Sequence, residues 1–231
     1  TGIAGNGWYD REWGRVISNV EDSVSTAVGT DKKYSKSPNN LLVTTIGDEL
    51  RIATNFQSKV VSVSIKDRGA ILPGGHTANG AFWNEGNKFV TSSYYMKELP
   101  AWAKKFNETD WQKKLMPAGW HTLYPIETYV LSDEDDKDYE NPVKGEDKAV
   151  FPHTKAGLTS TPFGNTFTFE FAKKAVEGYN LGKGKFTDML AVSLSSPDAI
   201  GHQYGPTSIE VEDNYLRLDR DLESFLNFLD E

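Results

Sequence analysis

Apolar residues along this chain recur with a helical period in some stretches and a strand period in others. Ser37-Pro38 offers an N-cap followed by Pro at the first helical position, and Leu42, Ile46, Leu50 and Ala53 continue at helical spacing, which predicts a helix of about four turns. Lys59 to Ile65 (KVVSVSI) is β-branched with period two, a buried strand that runs straight into Lys66-Asp67-Arg68. Gly80 to Tyr95 predicts a hairpin turning at Asn84-Glu85-Gly86-Asn87, with enough aromatic residues for one packed face. A short amphipathic helix follows over Leu99 to Asn107. From Trp111 to Thr161 the period is lost, and scattered aromatics and prolines surround an acidic run, Ser132 to Glu140 (SDEDDKDYE). It returns with a helix over Thr166 to Tyr179, stopped by Gly182, and a second buried strand over Asp188 to Leu194 (DMLAVSL). From Ser208 to the end, Val211, Tyr215, Leu218, Leu222, Phe225 and Leu229 form one helical stripe.

Helices alternating with apolar strands predict an α/β fold with a mainly parallel sheet flanked by helices, and an inserted loop-rich lobe. The expected division is residues 1–110 and 162–231 for the α/β core and 111–161 for the lobe. The 231 residues can bury a core without disulfides or metal. Zero Cys removes thiol catalysis and Cys-ligated zinc. A formal charge of −8 repels nucleic acid and anionic lipid, so neither is an expected partner. No run of about 18 apolar residues is present to cross a membrane as a helix. The chain starts with Thr1 and no charged-then-apolar leader follows, so a targeting segment is expected to be removed or to lie outside it.

In open α/β sheets, functional groups gather beyond the C-terminal ends of strands, and two such ends carry chemistry here. At the first, Lys66 and Arg68 share one strand parity and point to the same side while Asp67 points away. Their joint +2 charge suits phosphate or sulfate, with Arg able to make a two-pronged contact. A solvated strand end paired with carboxylates is the plain alternative. At the second, Asp198 and His202 lie four apart with Gly201 relieving the backbone between them, and a carboxylate and an imidazole so placed can close on one zinc ion. Two ligands are too few for a complete site, and a helix N-cap aspartate beside a surface histidine fits the same spacing. Asn6, in the glycine-dense turn Gly2 to Tyr9, carries a carboxamide that can donate to an oxyanion, with an ordinary turn Asn as the plain alternative. His76, His121 and His153 lie in Gly/Pro-rich loops and are assigned surface or packing roles. The acidic run lacks the central Gly and final Glu of a calcium loop and reads as a solvated face.

Taken together, Ile3-Ala4-Gly5-Asn6-x-Trp8-Tyr9-Asp10, Val63-Ser64-Ile65-Lys66-Asp67-Arg68-Gly69-Ala70 and Ser195-x-Pro197-Asp198-x-x-Gly201-His202-x-x-Gly205-Pro206 resemble the PafA-type bacterial alkaline phosphatases. These form part of the type I phosphodiesterase/nucleotide pyrophosphatase branch of the alkaline phosphatase superfamily, and the likeness covers nearly the whole chain. It implies a two-zinc phosphatase with a Thr nucleophile acting on small phosphate monoesters in the periplasm. By position, Asp198 and His202 match two ligands of the leaving-group zinc, and Asn6, Lys66 and Arg68 match the groups that hold the nonbridging oxygens. The Thr, an upstream Asp ligand, the Asp-His pair of the other zinc and a last His are absent. Thr1 stands where relatives often carry a His and is not the nucleophile. An interior fragment without turnover is the expectation, with zinc absent or weakly held and exposed sheet edges favouring self-association or a rearranged fold. The rivals are a phosphodiesterase or sulfatase of the same superfamily and a non-catalytic anion-binding module.

Overall fold

The computed structural model describes residues 2–33 and 36–231, so Thr1 lies outside the described residues. The chain divides into two compact units: Thr1–Glu108 with Lys174–Ser193, and Thr109–Lys173 with Leu194–Glu231.

In the first unit, β1 (Gly7–Asp10) and β2 (Arg15–Ser18) form an antiparallel ribbon in the register Gly7 with Ser18. Its turn is closed by Asp10, whose Oδ1 accepts from the Glu12 and Trp13 N–H groups. A five-stranded sheet is built from β3 (Ala27–Val28), β4 (Val60–Ser64), β5 (Gly80–Glu85), β6 (Lys88–Ser92) and β7 (Met189–Ser193), in the order β3-β6-β5-β4-β7. Three helices belong wholly to this unit: α1 (Ile46–Ala53), α2 (Asp67–Gly74) and α3 (Ala101–Phe106).

The fold is α/β as expected, and the sheet is mixed: β4 runs parallel to both neighbours, whereas β5–β6 and β6–β3 are antiparallel. All five residues of β4 are buried, as its β-branched sequence predicts for a central parallel strand. β7, expected to be buried, is half-buried along its whole length because it lies at the end of the strand order. The hairpin turns on two residues, Gly86 and Asn87, both at positive φ, with Glu85 opposite Lys88. Val20, Ala70, Ile71, Ala81, Trp83 and Val90 make one core cluster, and Phe82, Trp102 and Tyr179 meet edge-on or tilted in another.

The helix expected from Ser37 starts eight residues later. Thr45 Oγ1 accepts from Asp48 N–H at 3.1 Å, and Asp48 Oδ2 accepts from Thr45 N–H at 2.9 Å, a capping box that outcompetes the Ser37-Pro38 signal. Pro38 instead opens a turn, its carbonyl accepting from Leu41 N–H. The apolar spacing misled because Leu42 and Ile46 face solvent. Burial alone would raise the Asp48 pKa, but donors from Thr45, Thr77 and His76 hold it down at about 2.

The second unit contains α4 (Trp111–Leu115), short 3-10 turns at Ile126–Thr128 and Leu158–Ser160, most of α5 (Phe163–Tyr179), α6 (Ser196–Tyr204) and α7 (Ile209–Asp230). The stripe expected along α7 does not face a core throughout. Phe225 is buried against Phe169, whereas Tyr215, Leu222 and Leu229 are exposed. Its N-terminal half is held by polar groups instead: Asp213 accepts from Trp120 Nε1 at 2.7 Å, Leu123 N–H at 2.6 Å and Arg217 Nε at 2.7 Å. Asn214 Oδ1 accepts from Asn165 Nδ2 at 2.9 Å.

His153 packs as expected, but between two carboxylates. It is fully buried, with Nδ1 3.0 Å from Glu146 and Nε2 2.9 Å from Glu210. Burial alone would lower its pKa, but the bonds to Glu210 and Glu146 prevail and raise it. The acidic run is not a uniformly solvated face, because Glu140 and one oxygen of Asp135 are buried, and burial raises both their pKa values.

Candidate active site

Strand β4 ends at Ser64, two residues before Lys66, which is the N-cap of α2. Lys66 N–H donates to Ser64 Oγ at 3.2 Å, which turns the chain out of the strand and into the helix. Arg68 is therefore a first-turn helical residue, and the strand-parity basis for pairing it with Lys66 is corrected: the two lie at a helix N-terminus, on either side of Asp67. That end of a helix carries positive partial charge and suits an anion. The Arg68 side chain makes no hydrogen bond or ion pair among the described residues.

Gly69 explains how α2 starts so close to the sheet. A Cβ there would meet Ser64 Oγ at 2.5 Å and Ser193 Oγ at 3.0 Å, so a larger residue would push the first turn of α2 away from both strand ends. Sequence reasoning missed this role, although Lys-x-Arg-Gly directly after a β-branched strand carries the signal. It also missed Asp67, whose Oδ1 accepts from Arg68 N–H at 2.6 Å and whose Oδ2 lies 2.6 Å from Lys36 Nζ.

Ser193, the last residue of β7, pairs with Ser64 at the end of β4. The chain passes from there through Leu194 and Ser195 into α6, with Pro197 in the first turn. Asp198 and His202 sit one turn apart on α6, His202 Nε2 3.4 Å from Asp198 Oδ1, with side chains 52% and 83% exposed for Asp198 and His202 respectively. Asp198 is not the N-cap. Gly201 is an ordinary helix-interior residue without positive φ or close neighbours, so its expected backbone role is withdrawn.

Two donors bound at 2.0–2.1 Å to one tetrahedral zinc lie about 3.3–3.4 Å apart, so this separation fits two zinc ligands. Among the described residues no group of three or more His, Asp or Glu side chains is arranged to hold a metal. Asn6 precedes β1, is exposed, accepts from Asn19 N–H through its carbonyl at 3.1 Å, and bonds neither Lys66 nor Arg68 among the described residues. His76 bonds Asp48 and the Leu41 carbonyl, and His121 the Ala118 carbonyl.

The first unit thus carries a lysine and an arginine at the start of a helix, and the second a carboxylate and an imidazole one helical turn apart, on an α/β framework. The chain belongs to the type I phosphodiesterase/nucleotide pyrophosphatase family, whose model matches residues 1–231. It is 53% identical over 241 residues to alkaline phosphatase PhoV of Synechococcus elongatus. It is 50% identical over 244 residues to a Myroides odoratus protein named calcium-transporting ATPase, and 47% over 243 to alkaline phosphatase PafA of Elizabethkingia meningoseptica. Each match takes in the whole of this chain and 44% of the relative, so the chain spans under half the length of these curated proteins. The crystal structure of wild-type PafA superposes with a TM-score of 0.95 at 46% identity, covering 99% of this chain and 46% of that one. A PafA variant with four substitutions gives a TM-score of 0.96 at 45% identity, covering 99% and 47%.

Proposed function

We propose that this chain is the part of a zinc-dependent alkaline phosphatase that grips the phosphoryl group and supplies half of one metal site. The nucleophilic Thr lies outside it. The observation that supports the reading is that Lys66 is the N-cap and Arg68 a first-turn residue of α2, directly after the buried strand β4. In this reading the Arg68 guanidinium takes two nonbridging oxygens, the Lys66 ammonium opposes their charge, and the Asn6 carboxamide donates to one of them. Two cations on one phosphoryl group favour a dianionic monoester over a monoanionic diester. Asp198 and His202 hold zinc from one side, their separation already fitting two of its ligands. Zinc, when bound, lowers the cost of charge on the attacking and leaving oxygens.

The solved PafA variant carries substitutions of a Thr, an Asn, a Lys and an Arg, the last two separated by one residue as Lys66 and Arg68 are. The whole protein acts, on this reading, on small phosphate monoesters in the periplasm.

The test is hydrolysis by the whole protein of p-nitrophenyl phosphate and of its methyl diester, with zinc and with chelator. Zinc-dependent hydrolysis that prefers the monoester by about 100-fold or more is expected. A diester preference would install the phosphodiesterase reading. Phosphate binding with no turnover under either condition would install an anion-binding module. The name of the Myroides relative makes ATP, with and without calcium, a useful further substrate.

A further inference from the structure

The chain contains two Asn-Gly steps, Asn6-Gly7 and Asn79-Gly80. An asparagine before glycine is open to loss of its side-chain amide, because no Cβ hinders attack of the glycine nitrogen on the carboxamide carbon. The structure treats the two steps differently. Asn79 is half-buried, its Oδ1 accepts from Val60 N–H at 2.9 Å and from Arg51 Nη1, and Gly80 is buried in β5. Asn6 and Gly7 are both exposed, and the Asn6 side chain makes no hydrogen bond among the described residues. Asn19 N–H on the Asn6 carbonyl makes those two residues a hydrogen-bonded pair, so the alternation of an antiparallel ladder points the Gly7 N–H away from β2. That nitrogen lies outside the ribbon's hydrogen bonds and can lose its proton to a base. Gly7 is also imposed by the ribbon, since a Cβ there would meet the Ile17 carbonyl oxygen at 2.8 Å.

We propose that Asn6 is a deamidation site and that its modification switches off the anion grip. The Gly7 nitrogen bonds to Asn6 Cγ, the Cγ–Nδ2 bond breaks, and ammonia leaves with the proton that Gly7 gave up, closing a succinimide ring. Water then opens that ring at one carbonyl or the other, which leaves aspartate or isoaspartate at position 6. A neutral hydrogen-bond donor becomes an anionic acceptor, and it repels a phosphoryl dianion. The loss of grip rests on the phosphatase reading, in which Asn6 holds a nonbridging oxygen; the modification itself does not. Asparagine serves the ligand and glycine serves the ribbon, so the labile step is built into the site.

The test ages the whole enzyme in mildly alkaline buffer and follows its tryptic peptides by mass spectrometry beside kcat/KM for p-nitrophenyl phosphate. Cleavage after Arg11, Arg68 and Lys88 puts Asn6 and Asn79 in separate peptides. Deamidation with isoaspartate should appear at Asn6 at least about tenfold faster than at Asn79, since a protected step reacts only through local opening. Monoester activity should fall in step with the modified fraction, and Asn6→Asp in fresh enzyme should lower kcat/KM about 100-fold. Asn6→Gln keeps a carboxamide but closes the larger ring slowly, so it should hold its own starting activity over the same ageing. Equal rates at the two asparagines, or a faster one at Asn79, would overturn the site. Unchanged activity in the aged or Asn6→Asp enzyme, or an Asn6→Gln enzyme that decays as fast as the unsubstituted one, would overturn the switch. Fresh enzyme without monoester hydrolysis would strike the phosphatase reading and the switch with it, while the comparison of the two peptides still decides the site.

Discussion

The ends of β4 and β7 make a controlled comparison. They are adjacent parallel strands finishing on the paired residues Ser64 and Ser193, and each chain then turns within three residues into a helix bearing polar residues in its first turns. The end of β4 is braced: Gly69 lets α2 sit on both serines, Asp67 closes the first turn, and Lys36 holds Asp67. The pair on α6 is a carboxylate and an imidazole 3.4 Å apart on an exposed helical face. The difference teaches that contacts from several stretches of one unit can fix the side chains at a strand end, whereas helix spacing alone sets Asp198 against His202. On the proposed reading the first grips the phosphoryl group and the second contributes two ligands to a zinc ion.

The largest effect expected from that asymmetry is on turnover. The isolated chain with added zinc should show no enzyme-like hydrolysis of p-nitrophenyl phosphate, since groups that act as a unit fail together. A rate comparable to a working phosphatase would erase the distinction between the two strand ends. Next, Asp198→Asn in the whole enzyme should weaken one zinc by about 100-fold or more, because even the partners of metal ligands cost 10–100-fold when lost. Chelator competition with metal analysis reads this, and unchanged zinc content would remove Asp198 from the ligand set.

The third effect concerns stability and separates the two units. His153→Ala leaves Glu210 and Glu146 without their shared partner and should cost about 3–5 kcal/mol in denaturant unfolding. The raised pKa of His153 makes its contribution complete below the unfolded value of about 6.5 and lost as pH rises through the folded value. Asp48 in the first unit behaves oppositely. Its contribution is complete above about 4 and lost as pH falls through about 2. Unfolding followed against pH should show both losses, and a second unit that gains stability from pH 6 to 9 would contradict the assignment of His153. The smallest effect is association. The half-buried β7 and the exposed Tyr215, Leu222, Leu226 and Leu229 of α7 should make the isolated chain self-associate with concentration in sedimentation velocity. A strict monomer at high concentration would count against it.

Legibility in the sequence followed from how local each signal is. The KVVSVSI strand, the hairpin at Gly86-Asn87, and the helices over Phe163–Tyr179 and Ile209–Asp230 all rest on periodicity and turn residues, and they fold close to where the pattern puts them. Asp198 and His202 fall one turn apart because i,i+4 spacing needs only a helix. What sequence could not supply was long-range pairing. Lys36 meets Asp67 across 31 positions, and His153 meets Glu210 across 57, in stretches whose composition looks merely polar. The start of α1 was misplaced because Ser37-Pro38 and Thr45-Asp48 are both sound capping signals, and only the second has His76 and Thr77 to complete it. Lys66 and Arg68 were expected on one strand face and lie instead at a helix start, as N-cap and first-turn residue.

The central claim is that Lys66 and Arg68 form the charge-selective grip on a phosphoryl dianion. Its most direct test is kcat/KM of the whole enzyme for a monoester and for its methyl diester, with and without Lys66→Ala/Arg68→Ala. The account predicts a monoester loss of about 10²–10³-fold or more and a diester loss at least tenfold smaller, so that the preference collapses. Equal losses on the two esters, or a monoester rate that survives the double substitution, would contradict it.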